Sequence, residues 1–476
     1  MRNEKPLIDA LNHFVEQQPS SLHVPGHKNG LLSNLPKVIQ SALTYDVTEL
    51  TGLDDLHHPE EAIQDAENLL AQTYEADQSF FLVNGSTVGN LAMIYATCHF
   101  GDSIVVQRNA HKSIFHAIDL VGAQPIFISP EWDEQTKTAG HVSVDTVLNA
   151  LNVMPKAKAV VLTTPTYYGL VNNDLEEIIQ HCHHQNIPVL IDEAHGAHLA
   201  ASAHFPASAL HLGADVVVQS AHKTLPAMTM GSFLHVNSEL VDAKQIKRYL
   251  QMLQSSSPSY LIMASLDDAR HYVGTYIESD YRTLMDKRAS FISWLQLIQG
   301  IEVVEVDDPL KLLIRVKGYT GFEVKEALEA EQVFVELADL EQVLFILPLL
   351  KATNNYPFTM IRSKVKVAVE KLRKKPKHQR GQLSMAMEIE KITKPRYTFE
   401  EVRKSVTEWV PYTKSIGRIS AEMLTPYPPG IPLFVQGEKI TVNKLAYLTE
   451  LLAYGADIQG NHQLEEKLIQ VVKVGG

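Results

Sequence analysis

Along the first 240 residues, apolar positions cluster in short runs, and the stretches between them carry helical spacing. Phe80-Phe-Leu-Val83 is one run; others lie at 104–106, 125–128, 159–162, 189–191, 216–218 and 233–236. Short apolar runs of this kind read as buried strands. Between residues 60 and 76, Ala62, Ile63, Ala66, Leu69, Leu70 and Tyr74 share one helical face. A first helix is expected over residues 6–17. Strand and helix in alternation imply crossover connections and a mainly parallel sheet covered on both faces, an α/β architecture.

The pattern then changes twice. Residues 240–300 read as helical. Residues 301–375 hold strand-like runs at 301–306 and 310–316, a helix at 322–331 and two further apolar runs, which suits a small α+β domain. The expected division is an N-terminal segment (1–60), a large domain (61–300) and a C-terminal region (301–476). That last region splits into the α+β subdomain to about 375, a linker over 376–395 and a final part from 396 to 476. In the final part, Thr398-Phe-Glu-Glu401 is a capping box that opens a helix expected to reach about Trp409. Four prolines between Thr425 and Pro432 make a stiff loop.

Composition narrows the function classes. Hydrophobic content of 45% and charged content of 20% suit a globular chain, and 476 residues suit two or three domains. A net charge of −13 argues against a nucleic-acid surface, so the basic stretch 371–380 reads as a solvated helix end and linker. Cys98 and Cys182 imply no disulfide framework, and a cytoplasmic location is expected. The N-terminus lacks an apolar signal core and the longest apolar run, 343–350, is too short for a membrane span, so no membrane partner is expected. The 21 histidines show no zinc-ligand spacing, so no metal is expected.

Chemistry enters at the ends of the strands, where parallel sheets bind ligands. Gly85-Ser86-Thr87 follows one strand and opens a helix. A helix N-terminus with hydroxyls and a glycine can hold a phosphate, although Ser and Thr also serve as plain caps. The stretch is neither a Walker A sequence nor G-x-G-x-x-G. His111 follows the next strand, Asp192-Glu-Ala-His195 a later one, and Ser220-Ala-His222-Lys223 the last. A lysine beside a histidine at the end of a buried strand loses solvation, which lowers its pKa and suits attack on an aldehyde to form a Schiff base. Taken by itself, a surface lysine is the plainer alternative. Pyridoxal phosphate needs this whole set: an attaching lysine, a phosphate cradle and an acid opposite the pyridine nitrogen. The expected roles are Lys223 for attachment, Asp192 for the nitrogen and His111 for the ring face. Gly85, Ser86, Thr87 and Ser220 are expected at the phosphate, with His195 and His222 close by.

The chain resembles the fold-type-I Orn/Lys/Arg decarboxylases. The likeness rests on His23-Val-Pro-Gly-His-Lys-Asn-Gly30, Phe81-Leu-Val-Asn-Gly-Ser-Thr87, Arg108-Asn-Ala-His-Lys-Ser113, Pro165-Thr-Tyr-Tyr-Gly169, Asp192-Glu-Ala-His-Gly-Ala-His198, Gln219-Ser-Ala-His-Lys-Thr-Leu-Pro226, Ser256-Ser-Pro-Ser-Tyr260 and Leu424-Thr-Pro-Tyr-Pro-Pro-Gly-Ile-Pro432. It spans nearly the whole chain and is similar to the short form, without the N-terminal wing domain. It implies an aminotransferase-like large domain of the PLP-dependent transferase type, a small C-terminal domain, and a homodimer or higher homo-oligomer with shared active sites. Ser256 or Ser257 from a second subunit is expected to help at the phosphate. The implied reaction is decarboxylation of a basic L-amino acid (arginine, lysine or ornithine) to a polyamine precursor, with Lys223 or His222 returning a proton to the former α-carbon. The substrate's distal cation must be paired once buried. Glu438 is the first choice for that pairing, Glu422 the second, and the 52–55 loop the next. Two alternatives stay open: another reaction of the same cofactor, such as transamination, or a catalytically silent cofactor-binding protein.

Overall fold

The structure is a computed structural model that describes residues 4–377, 390–426, 431–460 and 462–473. It resolves into two compact units, each discontinuous in sequence: Met1–Thr97 with Leu175–Glu278, and Cys98–Asp174 with Ser279–Gly476.

In the first unit the strands lie in the order Gln78–Leu82, Ser232–Val236, Val216–Gln219, Val189–Asp192. Val189–Asp192 and Val216–Gln219 are parallel, and Ser232–Val236 is antiparallel to both of its neighbours. Three strands therefore run one way and one is reversed. The reversed strand follows its neighbour after a connection that holds a single helical turn and not the full helix usual in a parallel crossover. Every residue of Val189–Asp192, Val216–Gln219 and Ser232–Val236 is buried. Burial on both faces is why the runs at 189–191, 216–218 and 233–234 are apolar without alternation. Pro6–Glu16 is helical, as the spacing predicts. It is held from below: the Leu7 N–H donates to Asp267 (3.1 Å) and Arg270 donates to the Glu4 carbonyl (2.6 Å).

The second unit holds Val160–Thr163, Ser103–Gln107 and Gln124–Ile128 as parallel strands, with Ile392–Thr393 antiparallel at the edge. A separate four-stranded antiparallel sheet is formed by Ile301–Glu305, Lys311–Val316, Val343–Ile346 and Leu337–Ala338. The helices Gly321–Ala330 and Phe358–Leu372 cover it, around a core that includes Phe291, Leu312, Val324 and Val369.

Two local expectations are corrected. The capping box at Thr398 and Glu401 forms, but its helix spans only Phe399–Lys404. Thr407–Pro411, expected as the helix end, is a strand paired with Leu468–Val472, far along the chain. Its β-branched Thr407 and Val410 suit an extended backbone, and a partner strand decides what helical spacing alone leaves open. Ser220 to Lys223, which the strand pattern by itself reads as the loop after Val216–Gln219, instead enters one helical turn, Ala221–Thr224. The basic stretch 371–380 leaves the described residues at 378, and the proline loop does so over 427–430. Among the described residues no helix is long and apolar enough to cross a membrane, and no His, Cys, Asp and Glu group could hold a metal ion.

Candidate active site

In the first unit, three neighbouring strand ends bring the candidate residues together. Lys223 Nζ lies 3.0 Å from His195 Nε2. The imidazole beside the lysine is thus His195, from the turn after Val189–Asp192. His222, its near neighbour in sequence, is engaged elsewhere: its Nδ1 donates to the Gly231 carbonyl (3.0 Å). Asp192 ends the buried strand, and its Oδ2 accepts from Asn90 Nδ2 (3.0 Å) while Oδ1 accepts from the Ala194 N–H (3.2 Å). Burial pushes the Asp192 pKa up, opposed by the Lys223 charge and by both hydrogen bonds. A buried carboxylate with only partial compensation calls for a cationic neighbour.

One turn before Asn90 on the same helix stands Ser86. Positions i and i+4 share a helical face, so this one helix, Gly85–Thr97, reaches both Asp192 and the hydroxyls. Ser86 Oγ is 2.5 Å from Ser220 Oγ and 3.1 Å from Ser232 Oγ. Gly85 has φ +77°, which an L side chain rarely adopts, and a Cβ placed there would meet nothing within 4 Å. The helix therefore begins with its first-turn N–H groups, its positive dipole end and clustered hydroxyls beside open space. Thr87 is exposed on the same turn, and Ser256 and Ser257 are exposed in the segment before Tyr260–Gly274. Sequence reasoning missed Asn90 and Ser232. Asn90 sits at helical spacing from Ser86, a signal that was present. Ser232 enters only through the pairing of its strand with Val216–Gln219.

Three further candidates belong to the second unit. His111 caps the Lys112–Val121 helix, its Nδ1 accepting from the Ser113 N–H (3.3 Å). Glu438 is buried with two cations: Arg108 donates to both of its oxygens (3.2 and 2.9 Å) and Lys444 to Oε2 (2.7 Å). Burial pushes its pKa up, but Arg108 and Lys444 outweigh burial and hold the carboxyl below the usual range. Any further cation would have to displace one of them. Glu422 differs. Its Oε1 accepts from the Gln470 N–H (2.9 Å), while its buried Oε2 has no hydrogen-bond partner among the described residues. Burial, against that one hydrogen bond, moves its pKa up to about 7. In the first unit, Asp54 of the 52–55 loop is spent on the backbone at the start of Ala62–Tyr74, accepting from the N–H groups of Glu61 (2.8 Å) and Ile63 (2.9 Å).

The family model described as Orn/Lys/Arg decarboxylase, major domain, matches residues 5–305, and the one described as the C-terminal domain matches residues 377–463. The chain belongs to the Orn/Lys/Arg decarboxylases. Among its relatives, the uncharacterized protein YaaO of Bacillus subtilis is 44% identical over 98% of each chain. The arginine decarboxylase of Bacillus subtilis is 34% identical, with 99% of this chain and 98% of that one covered. The crystal structure of the Francisella novicida lysine decarboxylase LdcF matches with a TM-score of 0.78 at 18% identity, covering 99% of this chain and 81% of that chain. At that identity the likeness speaks to the fold alone.

As an Orn/Lys/Arg decarboxylase the chain is a pyridoxal-phosphate-dependent enzyme acting on a basic amino acid. The residues of the first unit fit that group. The hydroxyls and helix start at Gly85 match a phosphate, the buried Asp192 matches a protonated ring nitrogen, and the Lys223 amine matches an aldehyde.

Proposed function

We propose that the protein decarboxylates L-arginine, with Lys223 holding the cofactor and Asp192 keeping its ring nitrogen protonated. The observation that carries the reading is the convergence of Lys223, His195, Asp192 and the Ser86–Ser220–Ser232 hydroxyls at neighbouring strand ends. When bound, pyridoxal phosphate supplies an electron-poor ring that accepts the electron pair left as carbon dioxide departs. Asp192 would offer negative charge to the ring nitrogen, with Asn90 and the Ala194 N–H fixing its two oxygens. Ser86 and Ser220 would hold the phosphate, with Ser86 turning its hydroxyl from Ser232 to do so. His195 exchanges a proton with Lys223, which suits Lys223 to return a proton to the substrate carbon; the hydrogen bond to Gly231 makes His222 the second choice.

Arginine is preferred over lysine because relatives at 33–34% identity are arginine decarboxylases, whereas lysine decarboxylases appear at 22–25%. For the distal cation, Glu422 with its open oxygen is a better partner than Glu438, which already holds two cations. His111 is proposed for the ring face, Thr87 for the phosphate, and a cytoplasmic homodimer with shared sites for the assembly. The test is carbon dioxide release from arginine, lysine and ornithine, alongside the visible absorbance of the bound cofactor. Arginine should lead, and Lys223→Ala should abolish both signals. Equal rates on all three substrates, or keto-acid release without carbon dioxide, would refute the reading.

A further inference from the structure

The turn that carries Asp192 and His195 also carries a second buried acid. Glu193 is 1% exposed and faces away from Asp192, as successive positions at a strand end do. Its Oε2 accepts from Gln219 Nε2 (2.5 Å) and Ser208 Oγ (2.8 Å), and its Oε1 accepts from the Ala209 N–H (2.7 Å). Gln219 is the residue before Ser220. One carboxylate therefore joins the turn holding Asp192 and His195 to the strand end that leads into Ser220 and Lys223. Main-chain bonds run beside it, from Glu193 N–H to the Val218 carbonyl (2.9 Å) and from Ser220 N–H to the Ala194 carbonyl (3.3 Å).

Two further observations show that space and polarity are arranged around this group. A Cβ on Gly196 would lie 2.5 Å from Glu193 Cγ, so the turn closes over the side chain only because residue 196 has none. Beyond Gln219 a directed chain begins. A carboxylate can only accept, so Gln219 turns its Nε2 to Glu193 and its Oε1 to His235 Nε2 (3.2 Å). That nitrogen must carry the proton, and His235 Nδ1 accepts from Ser79 Oγ (2.7 Å). Burial drops the His235 pKa to about 3, so the ring stays neutral and its two nitrogens keep separate roles.

We propose that Glu193 is a positioning residue: its carboxylate clamps the Asp192–His195 turn to the Gln219–Lys223 strand end and so sets the spacing of ring acid, imidazole and amine. The inference rests on Asp192 and Lys223 serving the cofactor as proposed above. Glu193 need not touch cofactor or substrate for this. Removing it leaves Gln219, Ser208 and the Ala209 N–H without this acceptor, and the two strand ends keep only their main-chain bonds.

The experiment compares Glu193→Ala, Glu193→Gln and Gln219→Met, with Lys223→Ala and Asp192→Asn as controls. The amide of Glu193→Gln can keep the clamp, because Gln219 and the Ser208 hydroxyl can reverse their roles once the neutral His235 changes tautomer and Ser79 becomes its acceptor. Three quantities are read: kcat per bound cofactor, the circular dichroism of the bound cofactor's visible band, and the thermal midpoint of the cofactor-free chain. A shift of about 1 Å costs roughly a hundredfold in rate. Glu193→Ala and Gln219→Met should each lose about ten- to a hundredfold in kcat per bound cofactor, with KM little changed and the visible dichroism altered. Glu193→Gln should restore most of both. If the alanine variant does not fold, Gln219→Met alone decides. Unchanged kcat per bound cofactor and unchanged dichroism in the folded variants would overturn the clamp, even if the thermal midpoint falls. Retained visible absorbance in Lys223→Ala would instead overturn the site assignment beneath it.

Discussion

At the scale of single residues, the site separates buried groups by what they are left to accept. Asp192 has two donors and a nearby amine, yet burial still raises its pKa, so a cationic ring beside it, as proposed, would favour its charged form. Asp192→Asn should retain cofactor and lose at least about 10²-fold in turnover, the scale on which a preorganised charge is worth several kcal/mol. Cofactor content and kcat, measured on one sample, check it. Glu422 and Glu438 make a second contrast. Glu438→Gln acts on a carboxylate that already binds Arg108 and Lys444, so it should lower the thermal midpoint and leave substrate preference unchanged. Glu422→Gln should raise the KM for arginine while cofactor absorbance stays as in wild type. Steady-state kinetics on both variants decide between them; a KM effect confined to Glu438→Gln would restore that residue as the cation reader.

At the scale of elements, the Ala62–Tyr74 helix is pinned to the Gln78–Leu82 strand by an acid. Glu67, 5% exposed, accepts from the Phe81 N–H (2.9 Å). Burial pushes its pKa up to about 8, with the Phe81 hydrogen bond and the Lys247 charge pulling the other way and Asp54 adding to the rise. The folded state therefore holds this proton more tightly than the unfolded chain, whose value is near 4.5. Its contribution is complete below about pH 4.5 and is lost as pH rises through about 8. Glu67→Gln keeps an acceptor for Phe81 and removes the titration. Its thermal midpoint should match wild type at low pH and exceed it at pH values above the Glu67 pKa. Equal midpoints at both ends of the range would show that Glu67 stays ionised in the fold.

For the whole molecule, the exposed apolar positions are unevenly spread. Leu22, Leu31, Leu32 and Val38 are 98%, 83%, 71% and 85% exposed, all within one short N-terminal stretch. Apolar exposure concentrated in one segment suits an interaction surface, and it accords with the proposed homodimer. Sedimentation equilibrium should return at least twice the 53.1 kDa of one chain. A mass of one chain at micromolar concentration would remove the dimer.

The positions of the strands along the chain, and of Lys223, Asp192 and Ser86 beside their ends, were legible in the amino-acid sequence. Each is a local signal: an apolar run, a glycine with hydroxyls at a helix start, a charged residue just past a buried strand. What tertiary structure alone decided are relations between elements. His195, 28 residues from Lys223 in the chain, is its imidazole partner, while the neighbouring His222 turns to Gly231. Strand pairing placed Ser232 in the hydroxyl cluster, joined Glu193 to Gln219 and made a strand of Thr407–Pro411. The physical reason is common to these cases. Short-range spacing sets where a side chain leaves the backbone, but hydrogen-bond partners and charge balance depend on which strands lie side by side, and that is settled only when the sheet forms.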